Sequence, residues 1–249
     1  VVFTGGTTIG REVMKAAAEQ LIPVTLELGG KSPCIVLEDA DLQVSARRIA
    51  WGRFLNAGQS CVAPDYVLVT PAMRQPLEAA LKQAIAEFYG PDPRQSPDFG
   101  RLVSTRQFDR VDALLNGATV LHGGERAREE RYIAPTLVEG DPDSALMGEE
   151  IFAPVLPIIE VSDLEAALRF IAERPKPLAA YLFSRSNNAR QQLIERTQSG
   201  SVAFNDVIVQ AGVPGLPFGG VGPSGIGRCH GETGFRSLSN QKSVYQRPF

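Results

Sequence analysis

An α/β protein with an open, mainly parallel sheet is the fold class that three features of the sequence predict. Short apolar runs of strand length alternate with helix-length amphipathic stretches along most of the chain, the pattern of strand-helix-strand crossovers. The first residues read as a strand, a glycine loop and a helix in direct succession. The composition, 43% hydrophobic and 21% charged over 249 residues, is that of a globular chain with core enough for one large or two medium domains.

In order, Val1 to Thr4 form an apolar strand that ends in Gly5-Gly6-Thr7-Thr8-Ile9-Gly10 and enters a helix running to about Leu21. Backbone N–H groups at such a helix start suit a pyrophosphate, but the spacing is not G-x-G-x-x-G and Arg11-Glu12 do not complete a P-loop. From these residues alone a tight turn and a phosphate site both stand. Strands follow at Val24–Leu28 and Pro33–Leu37. Asp39-Ala40-Asp41 then caps a helix over Leu42–Asn56, with Leu42, Ala46, Ile49 and Phe54 facing inward. Tyr66–Thr70 is a strand, and Met73, Leu77, Leu81, Ile85 and Phe88 make the apolar stripe of the next helix. After a proline-rich connection over 91–97, the pattern predicts a helix at Thr105–Leu115 and strands at Thr119–His122, Pro135–Glu139 and Val155–Val161. It continues with a helix at Leu164–Glu173, a strand at Leu178–Phe183, a helix at Ala189–Thr197 and a strand at Val202–Asn205. Gly212 to Gly227 is too rich in glycine and proline for a regular element, and Gln241–Arg247 reads as an edge strand suited to pairing with another subunit.

The formal charge of -3 offers no attraction for nucleic acid or an anionic membrane, so a small-molecule partner is expected. Cys34, Cys61 and Cys229 leave at least one thiol unpaired and show no metal-site spacing; the expected setting is reducing and cytoplasmic, without a metal. No apolar stretch has the length of a membrane span, and the start has neither the basic nor the apolar region of a signal peptide. The first residue is not Met, and a longer polypeptide is expected around the chain.

Two positions carry candidate chemistry. Cys61, in Gly58-Gln59-Ser60-Cys61-Val62-Ala63-Pro64, follows a helix and a glycine turn; a thiol there is either a small core hydrophobe or a nucleophile at a cleft. Glu27 interrupts the apolar Val24-Thr25-Leu26-Glu27-Leu28 run just before Gly29-Gly30. It is either a solvated edge carboxylate or a general base.

The segments L-E-L-G-G-K-S-P and G-Q-S-C-V-A-P-D-Y-V-L set Cys61 34 residues after Glu27, and together they resemble the aldehyde dehydrogenase superfamily. F-T-G-G-T-T-I-G-R, E-E-I-F-A-P-V-L-P, F-N-D and P-F-G-G-V-G-P-S-G-I-G follow the family's order, and the V-A-P-D-Y-V-L continuation is similar to its class 3 branch of fatty, aromatic and coniferyl-type enzymes. The resemblance implies oxidation of an aldehyde to a carboxylic acid with NAD or NADP, through a Cys61 thioester hydrolysed with Glu27 as base. It further implies that Gly5, Thr7 and Gly10 lie against the cofactor's phosphates, Glu150 on the nicotinamide ribose and Phe152 beside the nicotinamide. Asn205, Phe218 and Gly219 would border the cleft. By the same resemblance, 1–26 is the last strand-helix unit of a Rossmann-like cofactor domain, 27–228 the catalytic domain and 229–249 a return segment with a dimerisation strand, giving a homodimer. An N-terminal helix without the rest of that cofactor domain would expose apolar surface. Ala153 stands where the family usually has Gly, and Gln210 where many class 3 members have His.

Two competitors are carried forward. A thiol hydrolase or acyltransferase needs a histidine beside Cys61, and only His122 and His230 are available, neither in a catalytic motif. A truncated or scaffold module would keep the fold without turnover.

Overall fold

Strand alternation explains how the molecule is layered. A computed structural model describes residues 1–249. In chain order the elements are β1 (Val2–Thr4), α1 (Thr7–Ala18), β2 (Thr25–Glu27), β3 (Pro33–Val36), α2 (Leu42–Phe54), β4 (Tyr66–Val69) and α3 (Pro71–Tyr89). There follow α4 (Thr105–Leu114), β5 (Val120–His122), β6 (Arg126–Ala127), β7 (Tyr132–Ile133), β8 (Thr136–Glu139), α5 (Ala145–Gly148) and β9 (Val155–Glu160). The last are α6 (Leu164–Ala172), β10 (Ala179–Phe183), α7 (Asn187–Arg196), β11 (Ser201–Phe204), β12 (Gly225–Ile226) and α8 (Gly231–Ser237). Seven strands make one sheet in the order β11-β10-β3-β4-β9-β8-β5, all parallel except β5, which runs antiparallel to β8 at the edge.

Successive residues of a strand face opposite sides of a sheet. Cys34, Val36, Val67, Val69, Tyr181 and Phe183 therefore turn to a core shared with α2 and α3. Their neighbours Ile35, Tyr66, Leu68 and Leu182 turn to a second core with α6 and α7. Both faces are covered, as a parallel sheet requires. The inward positions expected on α2 hold: Ala46, Ile49 and Phe54 are buried, with Leu42 at the margin. The α3 stripe is likewise core, with Leu77, Leu81 and Ile85 buried. Asp41 caps α2 by accepting from the Val44 N–H at 3.1 Å, whereas Asp39 instead accepts from the Ser184 hydroxyl and the Arg185 N–H.

A smaller sheet, β1-β2-β12, stands apart. β1 and β2 are parallel, with Thr4 opposite Glu27, and β12 closes antiparallel on β2 with Gly225 opposite Glu27. α1 lies close on this sheet: a Cβ at Gly10 would come within 2.6 Å of the Leu28 side chain. The outer side of this unit is apolar and open, with Val1, Val2, Ile9, Met14 and Leu21 exposed.

The irregular stretch expected after Gly212 contains β12 and leads into α8, which no periodicity announces because Gly231-Glu232-Thr233-Gly234 is poor helix sequence. The edge strand expected over Gln241–Arg247 is one that pairs with another subunit, and within the single chain this segment is unpaired. Residues 240–249 have no regular structure and expose Val244, Tyr245 and Phe249; a strand needs a ladder partner, and no strand of this chain lies alongside.

Candidate functional site

The loop that carries Cys61 is built by a break in left-handed backbone. After α2, Asn56, Ala57 and Gly58 have φ of +53°, +53° and +73°, turning the chain into the 59–65 loop. For Gly58 this is easy, and a side chain is excluded there because a Cβ would collide with the Ala153 carbonyl. For Ala57 it is strained, of order 1 kcal/mol, and is held by burial at 1% exposure. The turn is fastened from both ends: the Asn56 amide donates to the Gln59 carbonyl at 3.0 Å and the Gln59 amide to the Asn56 carbonyl at 2.9 Å. Gln59 also spans to the neighbouring loop, donating to the Arg101 carbonyl and accepting from the Val103 N–H. The Tyr181 hydroxyl on β10 donates to the Val62 carbonyl at 2.5 Å.

A buried charged network then locks this loop to the segment 146–153. Asp65, 2% exposed, accepts from the Lys31 ammonium at 2.5 Å, from the Arg53 guanidinium at 3.1 Å and from the Ile151 N–H at 3.1 Å. Lys31 also donates to the carbonyls of Leu146 and Glu149, and Arg53 to those of Pro64 and Ala153. Arg110 on α4 adds donors to the Glu150 and Ile151 carbonyls. Each partner satisfies charge that burial would otherwise leave unpaired. Lys31, Arg53, Asp65 and Arg110 were not singled out from sequence. The one available signal was that Lys31 and Asp65 lie inside the two quoted motifs.

Cys61, Glu27 and Glu150 come together in this setting. Cys61 is partly buried at the margin of the main core, where Phe218, Ile208 and Ala211 also pack. Burial is the first cause that pushes its thiol pKa up, to about 11; the Glu150 carboxylate adds to the rise, and so, more weakly, does Glu27. The backbone N–H groups of Cys61 and Val62 act the other way. The Glu150 carboxylate lies directly against Gly29, where any Cβ would overlap it. Its pKa is raised to about 8, by burial first and then by Asp65, against the Gly30 N–H and the charges of Arg53 and Lys31. Glu27, at the end of β2, is 6% exposed, and neither carboxylate oxygen has an aligned hydrogen-bond partner. Burial raises its pKa; the Cys229 thiol, Arg228 and His230 draw it back.

The glycine loop joins the same end of the small sheet. The Gly5 N–H donates to the Glu27 carbonyl at 3.0 Å. The Thr7 hydroxyl donates to the Pro223 carbonyl at 3.0 Å, and Gly10 serves the close approach to Leu28. Gly6, the N-cap of α1, supplies no side-chain cap, so the N–H groups of the first turn are left for a ligand of negative charge. Loop and carboxylate stand together at the carboxyl ends of β1 and β2, where parallel strands offer a crevice. Phe152, 37% exposed with φ +48°, projects from the clamped segment.

Ala153 is accommodated: it is fully buried in an apolar cluster with Ile151 and Val155, its carbonyl accepting from Arg53 at 2.5 Å. Phe218 bridges to Cys229, and Gly219 lies where a Cβ would meet the Gly227 carbonyl. Asn205 works as a staple between strand ends, its amide oxygen accepting from the Ser184 N–H at 2.9 Å. Gln210 donates to the Tyr181 hydroxyl at 3.1 Å, bracing the residue that holds Val62. His122 lies on the edge strand β5 and His230 stacks on Phe218; neither is among the groups acting on the Cys61 thiol. No cluster of His, Cys, Asp and Glu could hold a metal, and no helix is long and apolar enough to cross a membrane.

Comparison with known proteins bears on these residues. The aldehyde dehydrogenase family model matches residues 1–244. The chain is 52% identical over 244 residues to the dimeric NADP-preferring aldehyde dehydrogenase of Rattus norvegicus, covering 98% of this chain and 54% of that protein. It is 48% identical over 246 residues to the 4,4'-diaponeurosporen-aldehyde dehydrogenase of Staphylococcus aureus, covering 98% and 54%. Among solved structures, the substrate-bound state of Staphylococcus aureus AldH superposes with a TM-score of 0.94 at 46% identity, covering 100% of this chain and 56% of that one. The Mycobacterium tuberculosis aldehyde dehydrogenase complexed with NAD+ gives 0.88 at 33% identity, covering 99% and 52%. The chain thus spans about half the length of the relatives it matches.

Proposed function

Because the chain belongs to the aldehyde dehydrogenase family, we propose that it carries the thiol and the base of an enzyme that oxidises an aldehyde to a carboxylic acid by covalent cysteine catalysis. The observation that supports this most directly is the Cys61 thiol, on a loop fastened by the Asp65 network, within reach of the charges of the buried Glu27 and the half-buried Glu150.

The Cys61 sulfur, as the thiolate that remains once its proton is released to solvent, adds to the aldehyde carbonyl; a C–S bond forms as the C=O π bond breaks, and the thiohemiacetal oxyanion needs hydrogen-bond donors aimed at it. A bound nicotinamide dinucleotide, NAD or NADP, supplies the acceptor for the hydride that leaves this carbon. The uncapped first turn of α1 suits its phosphates, the Glu150 carboxylate its ribose hydroxyls and the exposed Phe152 ring its nicotinamide face. The thioester left on Cys61 is then attacked by water, whose proton passes to Glu27; the new C–O bond forms the acid and the C–S bond breaks. Burial suits Glu27 to the task, since it raises the carboxylate toward the pKa of a useful base.

A Cys61 thiol with a pKa near 11 is almost wholly protonated at neutral pH, and the Glu150 carboxylate, once ionised above about pH 8, opposes its ionisation further. Ribose hydroxyls that engage Glu150 would shield that charge and favour the thiolate. Cofactor binding and nucleophile activation are thereby linked. A homodimer, small-molecule aldehydes as substrates and a cytoplasmic setting belong to the same proposal, in keeping with a relative named as dimeric. A scaffold without turnover would have no use for a buried, unpaired Glu27 carboxylate.

Pre-steady-state aldehyde oxidation tests this. Cys61→Ala should remove both burst and turnover while the fold survives, and Glu27→Gln should keep a burst of reduced cofactor followed by turnover slowed roughly 10²–10⁴-fold. Loss of the burst in Glu27→Gln would remove it from the hydrolytic step.

A further inference from the structure

The Tyr181 hydroxyl is used to its full capacity. It donates to the Val62 carbonyl at 2.5 Å and accepts from the Ile208 N–H at 3.3 Å and from the Gln210 amide at 3.1 Å, which fills its donor site and both acceptor sites. Its ring is fully buried on β10, so the core of the large sheet fixes where the hydroxyl stands. Because the hydroxyl hydrogen goes to Val62, Gln210 has to present its amide nitrogen. That nitrogen also donates to the Ser201 hydroxyl on β11 at 3.3 Å, and the amide oxygen is left buried without a donor.

On one side of this hydroxyl stands the turn that bears the thiol. The Ala63 N–H donates to the Ser60 carbonyl at 3.1 Å, which makes Cys61 and Val62 the central residues of a β-turn. The peptide between Val62 and Ala63 is therefore gripped at both ends, its N–H by Ser60 and its carbonyl by Tyr181. The N–H groups of Cys61 and Val62 have no carbonyl partner and are left to meet negative charge that develops at Cys61.

On the other side stands a strained turn. Ile208 has φ +67° and ψ −45°, and the Val209 N–H closes across it on the Val207 carbonyl at 2.7 Å. This is a γ-turn of the rare hand, centred on a β-branched residue. Such a conformation persists only where its surroundings impose it. Val207 is fully buried and wedged on α2, where a Cβ at Gly52 would come within 2.3 Å of its side chain, and the Tyr181 hydroxyl takes the Ile208 N–H.

We infer that Tyr181 is a positioning residue for the nucleophile: its hydroxyl ties the Val62 carbonyl to the strained turn at Ile208 and so holds the Cys61–Val62 turn in the orientation that acylation needs. This rests on the reading of Cys61 as the nucleophile. Gln210 acts through the same hydroxyl oxygen.

The test uses the intact enzyme and p-nitrophenyl acetate, which acylates the Cys61 thiol without hydride transfer. The burst amplitude counts competent sites, and the burst rate constant, followed against ester concentration, separates binding from acylation. Tyr181→Phe keeps the ring in the core and removes only the hydroxyl. It should lower the saturating acylation constant by roughly 10–10²-fold at full amplitude, with the half-saturating concentration unchanged, since a misplaced nucleophile costs rate rather than binding. Gln210→Leu spares the hydroxyl; it should lower the same constant by a smaller factor, and by nothing further when combined with Tyr181→Phe. A wild-type acylation constant in Tyr181→Phe, whatever its amplitude, would show that the hydroxyl serves folding alone and would overturn the proposal. Equal losses from Gln210→Leu with and without the hydroxyl would overturn it too. Should Tyr181→Phe not fold, Gln210→Leu decides: slowed acylation at full amplitude upholds the positioning role, and an unchanged constant overturns it. Cys61→Ala separates the two readings. A burst that survives there refutes the nucleophile, and the positioning role with it; a burst lost there beside unaltered acylation in Tyr181→Phe refutes only the positioning role.

Discussion

Asp65 and Glu27 are carboxylates of nearly equal burial, 2% and 6% exposed, set to opposite uses by their neighbours. Asp65 receives three donors from three separate segments, Lys31, Arg53 and Ile151, and pins the Cys61 loop to the Glu150 loop. Glu27 receives no aligned donor, whereas Glu150, with a pKa raised to about 8, accepts from the Gly30 N–H. Pairing turns a buried charge into a fastener. Withholding partners keeps it reactive and stores free energy that the rest of the fold must offset.

Breaking the fastener should have the largest effect. Asp65→Asn leaves the Arg53 and Lys31 charges buried without their counter-ion, and urea unfolding should show a loss of about 3–5 kcal/mol. A loss below about 1 kcal/mol would mean that the network is not what joins the two loops.

The reactive side should respond with the opposite sign. Glu150 has its pKa raised from 4.5 to about 8, so the folded state holds a proton that the unfolded state has already released between those values. Its favourable contribution is present below pH 4.5 and fades as pH rises to 8. Glu150→Gln should abolish that decline, leaving the variant more stable than wild type at pH 8 by on the order of 1–2 kcal/mol once screening of a part-buried group is allowed for. The same variant should speed alkylation of Cys61 by iodoacetamide above pH 8, where wild-type Glu150 is ionised and opposes the thiolate. Equal alkylation rates at pH 9 would place the source of the raised thiol pKa in burial alone.

Glu27→Gln should have the smallest effect on stability, a gain visible as a higher urea midpoint once pH rises above the ordinary carboxylate range. The direction is the same because the Glu27 pKa is also raised. A clear destabilisation would show that Glu27 is fastened after all, and would dissolve the contrast with Asp65.

Periodicity and chemistry along the chain made the alternating strands, the inward faces of α2 and α3 and the Asp41 cap legible, because each depends on neighbours within a few residues. Cys61 and Glu27 could be singled out for a related reason: a thiol after a glycine turn and a charge in an apolar strand are local anomalies. β12 and α8 were not legible, since their residues have little intrinsic preference and take their form from pairing with β2 and packing on Cys229. The Gln241–Arg247 segment shows the converse, a strand-like sequence without a ladder to join.

Sequence by itself determined the layered α/β architecture and singled out Cys61 and Glu27 as candidates for the chemistry. Tertiary structure alone decided which charges are paired. Asp65 meets Lys31, Arg53 and Ile151 across as many as 86 residues, and Glu27 meets Gly225 only after the chain has returned to the small sheet. A carboxylate's protonation and strength as a base depend on burial and on charges within a few ångströms, and those distances are set by the folded backbone rather than by spacing along the chain.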